Sequence, residues 1–205
     1  EKINNFNATN IVCDDIVVKK GGNRLRIIEA FEGELLTREH IVEVRDNEIV
    51  KPDLESDVLK IVLKDRYNNG IPVCGFIRGF NLKKGAFASS VAHDSHNIIC
   101  VGTNDNDIVS AVNEIISLKG GLAISVDNKI ESLQLDIAGI MSSDPCYQVA
   151  LRYEELNRII MQMGCKMTAP FMTLAFMALL VIPELKIGDK GLFDVRTFKP
   201  VSLFC

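Results

Sequence analysis

A chain of 205 residues with formal net charge −4, no Trp and 6% aromatic residues is long enough to bury a sizeable core. The mildly acidic balance excludes a basic footprint for nucleic acid, and the scarcity of aromatics excludes a platform for stacking bases. It also speaks against a basic membrane-surface segment, and the longest apolar run, Phe171 to Pro183, falls short of the ~20 residues a membrane span needs.

Residues 1–22 are polar and irregular and end in Lys19-Lys20-Gly21-Gly22, which reads as a linker or edge segment ahead of a domain over 23–205. The opening Glu1-Lys2-Ile3-Asn4-Asn5 has no Met and no apolar signal region, so it is expected to be an excised or processed start. Arg24 to Ile28 begins a strand. Ile41-Val42-Glu43-Val44, a turn at Asp46-Asn47 and a return over Glu48-Ile49-Val50 predict a hairpin. Val58 to Leu63 is a further strand, followed by a turn at Asn69-Gly70. Pro72–Phe80 and Gly85–Val91 read as strands joined by Asn81 to Lys84. Ile98 to Val101, short and β-branched, predicts a central strand buried on both faces.

Thr103-Asn104-Asp105 opens a helix with apolar residues at Ile108, Val112, Ile115 and Ile116, and Gly120-Gly121 closes it. Gly102 to Asp105 lacks the rest of any phosphate-binding spacing and reads as a cap alone. Leu122–Val126 and Ile130–Leu135 around Asp127-Asn128 make a second hairpin. A helix starts after Ser143-Asp144-Pro145, lines Val149, Leu156, Ile160 and Met163 on one face, and stops at Gly164. The Phe171–Ile182 stripe reads as a buried core helix. The pattern predicts an α/β (α+β mixed) domain: a mixed sheet with antiparallel hairpins and a βαβ unit from Ile98–Val101 to Leu122–Val126, covered by helices.

Six cysteines, at 13, 74, 100, 146, 165 and 205, show no close pair of the metal or redox kind, and all six are expected to be reduced in a cytosolic compartment. Two of the three histidines fall in Ser89-Ser90-Val91-Ala92-His93-Asp94-Ser95-His96-Asn97, a polar loop between apolar strands. His40 reads as a solvated or interface residue.

Four readings of the loop are open. His93, His96 and a carboxylate would be a metal site, but no third ligand stands out, and HxxH alone is weak. Ser89, Ser90 or Ser95 beside His and Asp would suggest a nucleophile, but there is no G-x-S-x-G elbow. A loop contacting substrate or another domain needs only hydrogen-bonding groups in a pocket, with His93, Asp94, Ser95, His96, Asn97, Ser89 and Ser90 as candidates. The bland alternative is a polar turn that satisfies buried main-chain groups.

Gly75-Phe76-Ile77-Arg78-Gly79-Phe80, Leu82 to Ser90, Val91 to Ile99 and Val101 to Asp105 together resemble the adenine deaminase C-terminal domain family. Gly120-Gly121-Leu122, Pro170 to Leu174, Val181 to Lys186 and Gly191 to Val195 extend the resemblance over nearly the whole chain. The resemblance implies a full-length amidohydrolase of purine salvage that converts adenine to hypoxanthine and ammonia by metal-assisted attack of water. It implies a divalent metal, manganese or iron, held in an N-terminal barrel of the same polypeptide. This chain has only three His and no H-x-H pair, so no metal or other cofactor is expected on it, and alone it is expected to be inactive. The implied partners are that barrel, adenine and further copies in a homo-oligomer, with no nucleic acid and no membrane, in the cytoplasm. In one reading the domain completes or covers the active site. In the other it is a non-catalytic assembly module with a structural polar loop.

Overall fold

The structure is a computed structural model that describes residues 4–44 and 48–205. Among the described residues the strands are β1 (Arg24–Ala30), β2 (Thr37–Glu43), β3 (Leu59–Lys64), β4 (Val73–Arg78), β5 (Ala86–Ser89), β6 (Ile98–Gly102), β7 (Gly121–Val126), β8 (Lys129–Gln134), β9 (Leu185–Gly188), β10 (Gly191–Asp194) and β11 (Lys199–Val201). Its helices are α1 (Asp105–Leu118), α2 (Cys146–Gln162) and α3 (Pro170–Phe176). Eight strands form one sheet in the order β2-β1-β4-β3-β6-β5-β7-β8, and the last three form a small antiparallel sheet. The large sheet is mixed, because β1 runs parallel to β4 while its other neighbours are antiparallel. This is the α+β class that the pattern predicted.

The sheet has a layer on each face. Strand β6 is buried at every position, so it carries no polar side chain on either face. Its Ile98 and Cys100 pack with α1, through Ile108, Ala111, Val112 and Ile115, spaced as one apolar stripe of a helix. Its Ile99 and Val101 face the opposite way, toward Leu156 and Ile160 of α2, Phe171 and Leu174 of α3, and Leu185, Ile187 and Leu192 of the small sheet. Helix α1 starts where Asn104 accepts a hydrogen bond from the Asp107 amide and stops where Lys119 turns left-handed, φ 55°. Asp127 and Asn128, with φ of 53° and 60°, give the β7–β8 hairpin the twist of a type I′ turn.

Three expectations are corrected. First, β2 does not form a hairpin with 48–50. It pairs along its whole length with β1, from Arg24↔Glu43 to Ala30↔Thr37, and Ile49 bridges Lys19 instead. The short 31–36 connection makes β1 the nearer partner; the Asp46-Asn47 turn lies outside the described residues. Second, β6 and β7 flank β5 and are not adjacent, so the crossover through α1 spans an inserted antiparallel strand. The small Ala86 and Ala88 of β5 leave α1 room to lie over it. Third, the Phe171–Pro183 run is helical only to Phe176. The Met177 carbonyl accepts from Ile187 of β9, and Met172 and Val181 are exposed. The described part of 1–22, read as a linker or edge segment, buries Phe6, Ile11 and Ile16 against α1, with one 3-10 turn at Cys13–Ile16. Their irregular spacing hid this from any periodic reading.

The second layer is anchored by a buried cation. Lys60 of β3, 1% exposed, donates to the Ile16 carbonyl at 2.9 Å and to Asp105 at the start of α1 at 2.5 Å. A carboxylate there also faces the positive end of the helix. Asp105→Ala leaves the buried ammonium with one carbonyl. Because Asp105 keeps some solvent, the expected loss is about 2–3 kcal/mol, below the ~3–5 of a fully buried pair. Urea denaturation reads it, and Lys84→Ala, which breaks an exposed pair with Asp127, should shift stability by less than ~1 kcal/mol.

Candidate functional site

Strands β5 and β6 are antiparallel neighbours, yet residues 90–97 join them, far more than a tight hairpin requires. The first part of this loop is tied inward. Ser89, 1% exposed, accepts from the Val91 amide at 2.9 Å. The hydroxyl of Ser90 donates to the Gly139 carbonyl at 2.6 Å and accepts from the Gly121 amide at 2.7 Å. Both hydroxyls are thereby committed to main chain. The other loop hydroxyl, Ser95, is exposed, and none of the three makes a hydrogen bond to a histidine among the described residues.

The second part crosses to α3. The His93 amide donates to the Ala175 carbonyl at 3.1 Å, and its ring lies tilted on Phe176 with centroids 4.9 Å apart. The His96 amide closes the turn on the Ala92 carbonyl, and His96 itself is left-handed at φ 53°. Beneath the loop lies Arg66, 5% exposed. Its main-chain amide donates to Asn97 Oδ1 at 3.3 Å, and its guanidinium reaches Ala138 O and the Tyr67 hydroxyl at 2.9 Å each. That hydroxyl donates in turn to the Ser95 carbonyl at 2.7 Å.

His93, Asp94, Ser95 and Asn97 form one wall of a cleft of about 120 Å³; Val181 and Asp189 stand on the other. The second wall is held by charge. Glu39 of β2 accepts from Arg26 and Arg196 at 2.8 Å each, Asp194 accepts from Arg196 at 3.0 Å, and the Glu39 amide donates to the Glu184 carboxylate just before β9. Nearby Lys186 is fully buried on β9, donates to the Leu35 carbonyl at 2.7 Å, and is pushed down to about 8 by burial. His40 lies in β2 with Nε2 3.2 Å from the Arg78 guanidinium.

The structure thus brings His93, Asp94, Ser95 and Asn97 to one cleft and turns Ser89 and Ser90 away from it. The rings of His93 and His96 meet edge to face at 5.4 Å, and His96 Nδ1 is buried without a hydrogen-bond partner among the described residues. No three His, Cys, Asp or Glu among the described residues are grouped to hold a metal ion. All six cysteines are free, and burial raises the thiols of Cys74 and Cys165 to about 11 and that of Cys100 further. No helix among the described residues is long and apolar enough to cross a membrane. Sequence reasoning missed Arg66, Tyr67, Val181 and Asp189. Asp189-Lys190-Gly191 carries only a turn signal, and a buried arginine leaves no periodic mark.

A family model described as adenine deaminase C-terminal domain matches residues 34–199. A curated adenine deaminase from Methanosarcina mazei is 46% identical over 98% of this chain and 39% of its own length. Those from Dehalococcoides mccartyi and Methanosarcina barkeri are each 44% identical, over 96% and 98% of this chain and 35% and 38% of their own lengths. The chain therefore spans under two fifths of the length of these relatives.

The His96 imidazole yields a pH test. Its pKa is lowered from 6.5, first by burial, then by His93 and Arg66, with Asp94 opposing. The unfolded chain then binds a proton that the folded chain resists. Stability from this group is present above the unfolded value and lost as pH falls through the folded one. Denaturation midpoints measured between about pH 7.5 and 5 should fall less steeply for His96→Asn, which tolerates the left-handed backbone, than for the parent.

Proposed function

This chain belongs to the adenine deaminase C-terminal domain family, and from that premise we propose that it serves as a domain of a polypeptide that hydrolyses adenine to hypoxanthine and ammonia. Water adds at C6 of the purine, the C–N bond to the exocyclic amine breaks, and the nitrogen leaves as ammonia. The family match carries this reading, and the polar loop lies inside the matched span. The residues of this chain do not suit a catalytic metal. His93 and His96 turn edge to face, and one ring nitrogen of His96 is enclosed. A divalent metal, manganese or iron, would in this reading be held by an N-terminal barrel of the same polypeptide.

In this reading the loop from His93 to Asn97 completes or covers the active site. Two imidazoles, a carboxylate, a hydroxyl and an amide within five positions suit a purine, which is recognised by ring nitrogens and an amine. The place of action is the cytoplasm, in purine salvage, and the polypeptide assembles as a homo-oligomer. A second reading, that of an assembly module, draws on two observations. Ser89 and Ser90 are used up by main chain, and α2 exposes Tyr147, Leu151 and Met161 along one side.

Paired measurements on the complete polypeptide separate the two. His93→Ala should lower kcat/KM about 30- to 1,000-fold, equivalent to the ~2–4 kcal/mol of a hydrogen bond made in the transition state, with the denaturation midpoint nearly unchanged. Ser90→Ala should do the reverse, losing about 1–3 kcal/mol of folding stability while activity per folded molecule holds. A fallen midpoint with normal turnover in His93→Ala would give the function to assembly. The 205-residue chain alone should release no ammonia from adenine in a coupled assay with added manganese or iron.

A further inference from the structure

Arg66 is 5% exposed, and its guanidinium donates to two neutral acceptors and to no carboxylate among the described residues. A buried cation is costly to keep without a carboxylate, so what its donors reach is informative. Nη1 donates to the Ala138 carbonyl at 2.9 Å. Ala138 adjoins Gly139, whose carbonyl accepts from the Ser90 hydroxyl at the start of the polar loop. A Cβ on Gly139 would stand 2.2 Å from Nη1, so the guanidinium lies hard against this turn.

The other donors reach the far end of the same loop. Nη2 can only donate, so the Tyr67 hydroxyl accepts from it at 2.9 Å and gives its own single proton to the Ser95 carbonyl at 2.7 Å. The Arg66 main-chain amide donates to Asn97 Oδ1 at 3.3 Å. Two consecutive residues thus hold the chain on both sides of His96, at 95 and at 97, and the guanidinium ties that hold to the turn that anchors Ser90. The Tyr67 ring stacks 4.8 Å from the guanidinium, which keeps the hydroxyl in line. His96 is left-handed at φ 53°, a backbone state that a residue other than glycine keeps only where its surroundings fix it. Its ring meets that of His93 at 5.4 Å, so a shift of 95–97 displaces both imidazoles. Burial first, then His93 and Arg66, hold the His96 imidazole below 6.5, so the same guanidinium favours the uncharged ring.

We propose that Arg66 and Tyr67 are positioning residues for the deaminase reaction, acting through Ser95 and Asn97 to present the imidazoles of His93 and His96 in one arrangement. The role rests on the active-site reading of the loop given above. Neither Arg66 nor Tyr67 touches the reacting molecule. The Tyr67 hydroxyl therefore matters only while the loop carries its imidazoles, and its effect disappears once the His93 ring is removed.

The test uses the complete polypeptide with Tyr67→Phe, His93→Ala and the double variant, at a temperature where denaturation shows each to be folded. Tyr67→Phe keeps the stacked ring and removes the hydroxyl alone. Its kcat should fall at least about tenfold while KM stays within about twofold, whereas a merely structural hydroxyl would lower the midpoint and leave turnover per folded molecule intact. Hydrogen exchange of residues 91–97, read by mass spectrometry, should quicken at least about tenfold, with that of β6 unchanged. In the His93→Ala background, Tyr67→Phe should cost less than about a further twofold. Arg66→Lys keeps the charge, loses the fork and should repeat the pattern; if either variant does not fold, the other decides. Unchanged kcat, unchanged exchange, or effects of Tyr67→Phe and His93→Ala that simply multiply overturn the positioning role. They leave the active-site reading standing as long as His93→Ala is impaired. Normal turnover in His93→Ala overturns that reading, and the positioning role with it.

Discussion

The hydroxyl of Ser90 has no solvent exposure and is held between the Gly121 amide and the Gly139 carbonyl. Three segments meet at that oxygen: the end of β5, the start of β7 and the turn after β8. They approach so closely that a Cβ on Gly120, which has φ of 120°, would stand 2.3 Å from Gly139 Cα. Only glycine satisfies both the positive φ and the contact. With the end of β5 pinned there and β6 buried on both faces, the intervening chain has no freedom to slide. It must rise from a fixed point and return to a fixed point, and its length carries it across to α3 and the small sheet.

The two walls of the cleft are held by different physics. The loop wall rests on Arg66, a buried cation whose two terminal nitrogens donate to a carbonyl and a hydroxyl, whose Nε has no partner among the described residues, and which stacks at 4.8 Å on the Tyr67 ring. The opposite wall hangs on ion pairs among Glu39, Arg26, Arg196 and Asp194, with Arg196 nearly half exposed. Partly solvated pairs of this kind contribute little stability singly, but a network fixes geometry.

Local pattern revealed much of the fold. Strand β6, helix α1 with its Asn104 cap, and the Asp127-Asn128 hairpin were legible because each is decided by neighbours in sequence. The pairing of β2 with β1 and the insertion of β5 between β6 and β7 were not, because an alternating strand does not name its partner. The small sheet was illegible for another reason. Its strands have three or four residues, and β9 buries Lys186, whose ammonium is satisfied by the distant Leu35 carbonyl. A hydrophobic pattern reads that position as surface. The same blindness hid Arg66, while the polar run from Ser89 to Asn97 stood out because it interrupts two apolar strands.

Within that run, the division between scaffold and site follows from where each polar group finds its partner. Ser89 and Ser90 find theirs in main chain, as the bland reading of the loop requires. His93 finds none for its ring nitrogens among the described residues and is positioned instead by its amide and by Phe176. Asn97 spends its oxygen on Arg66 and keeps its nitrogen unspent. An apolar residue at 97 would leave the Arg66 amide, buried beneath the loop, without its acceptor, at a cost of about 1–3 kcal/mol.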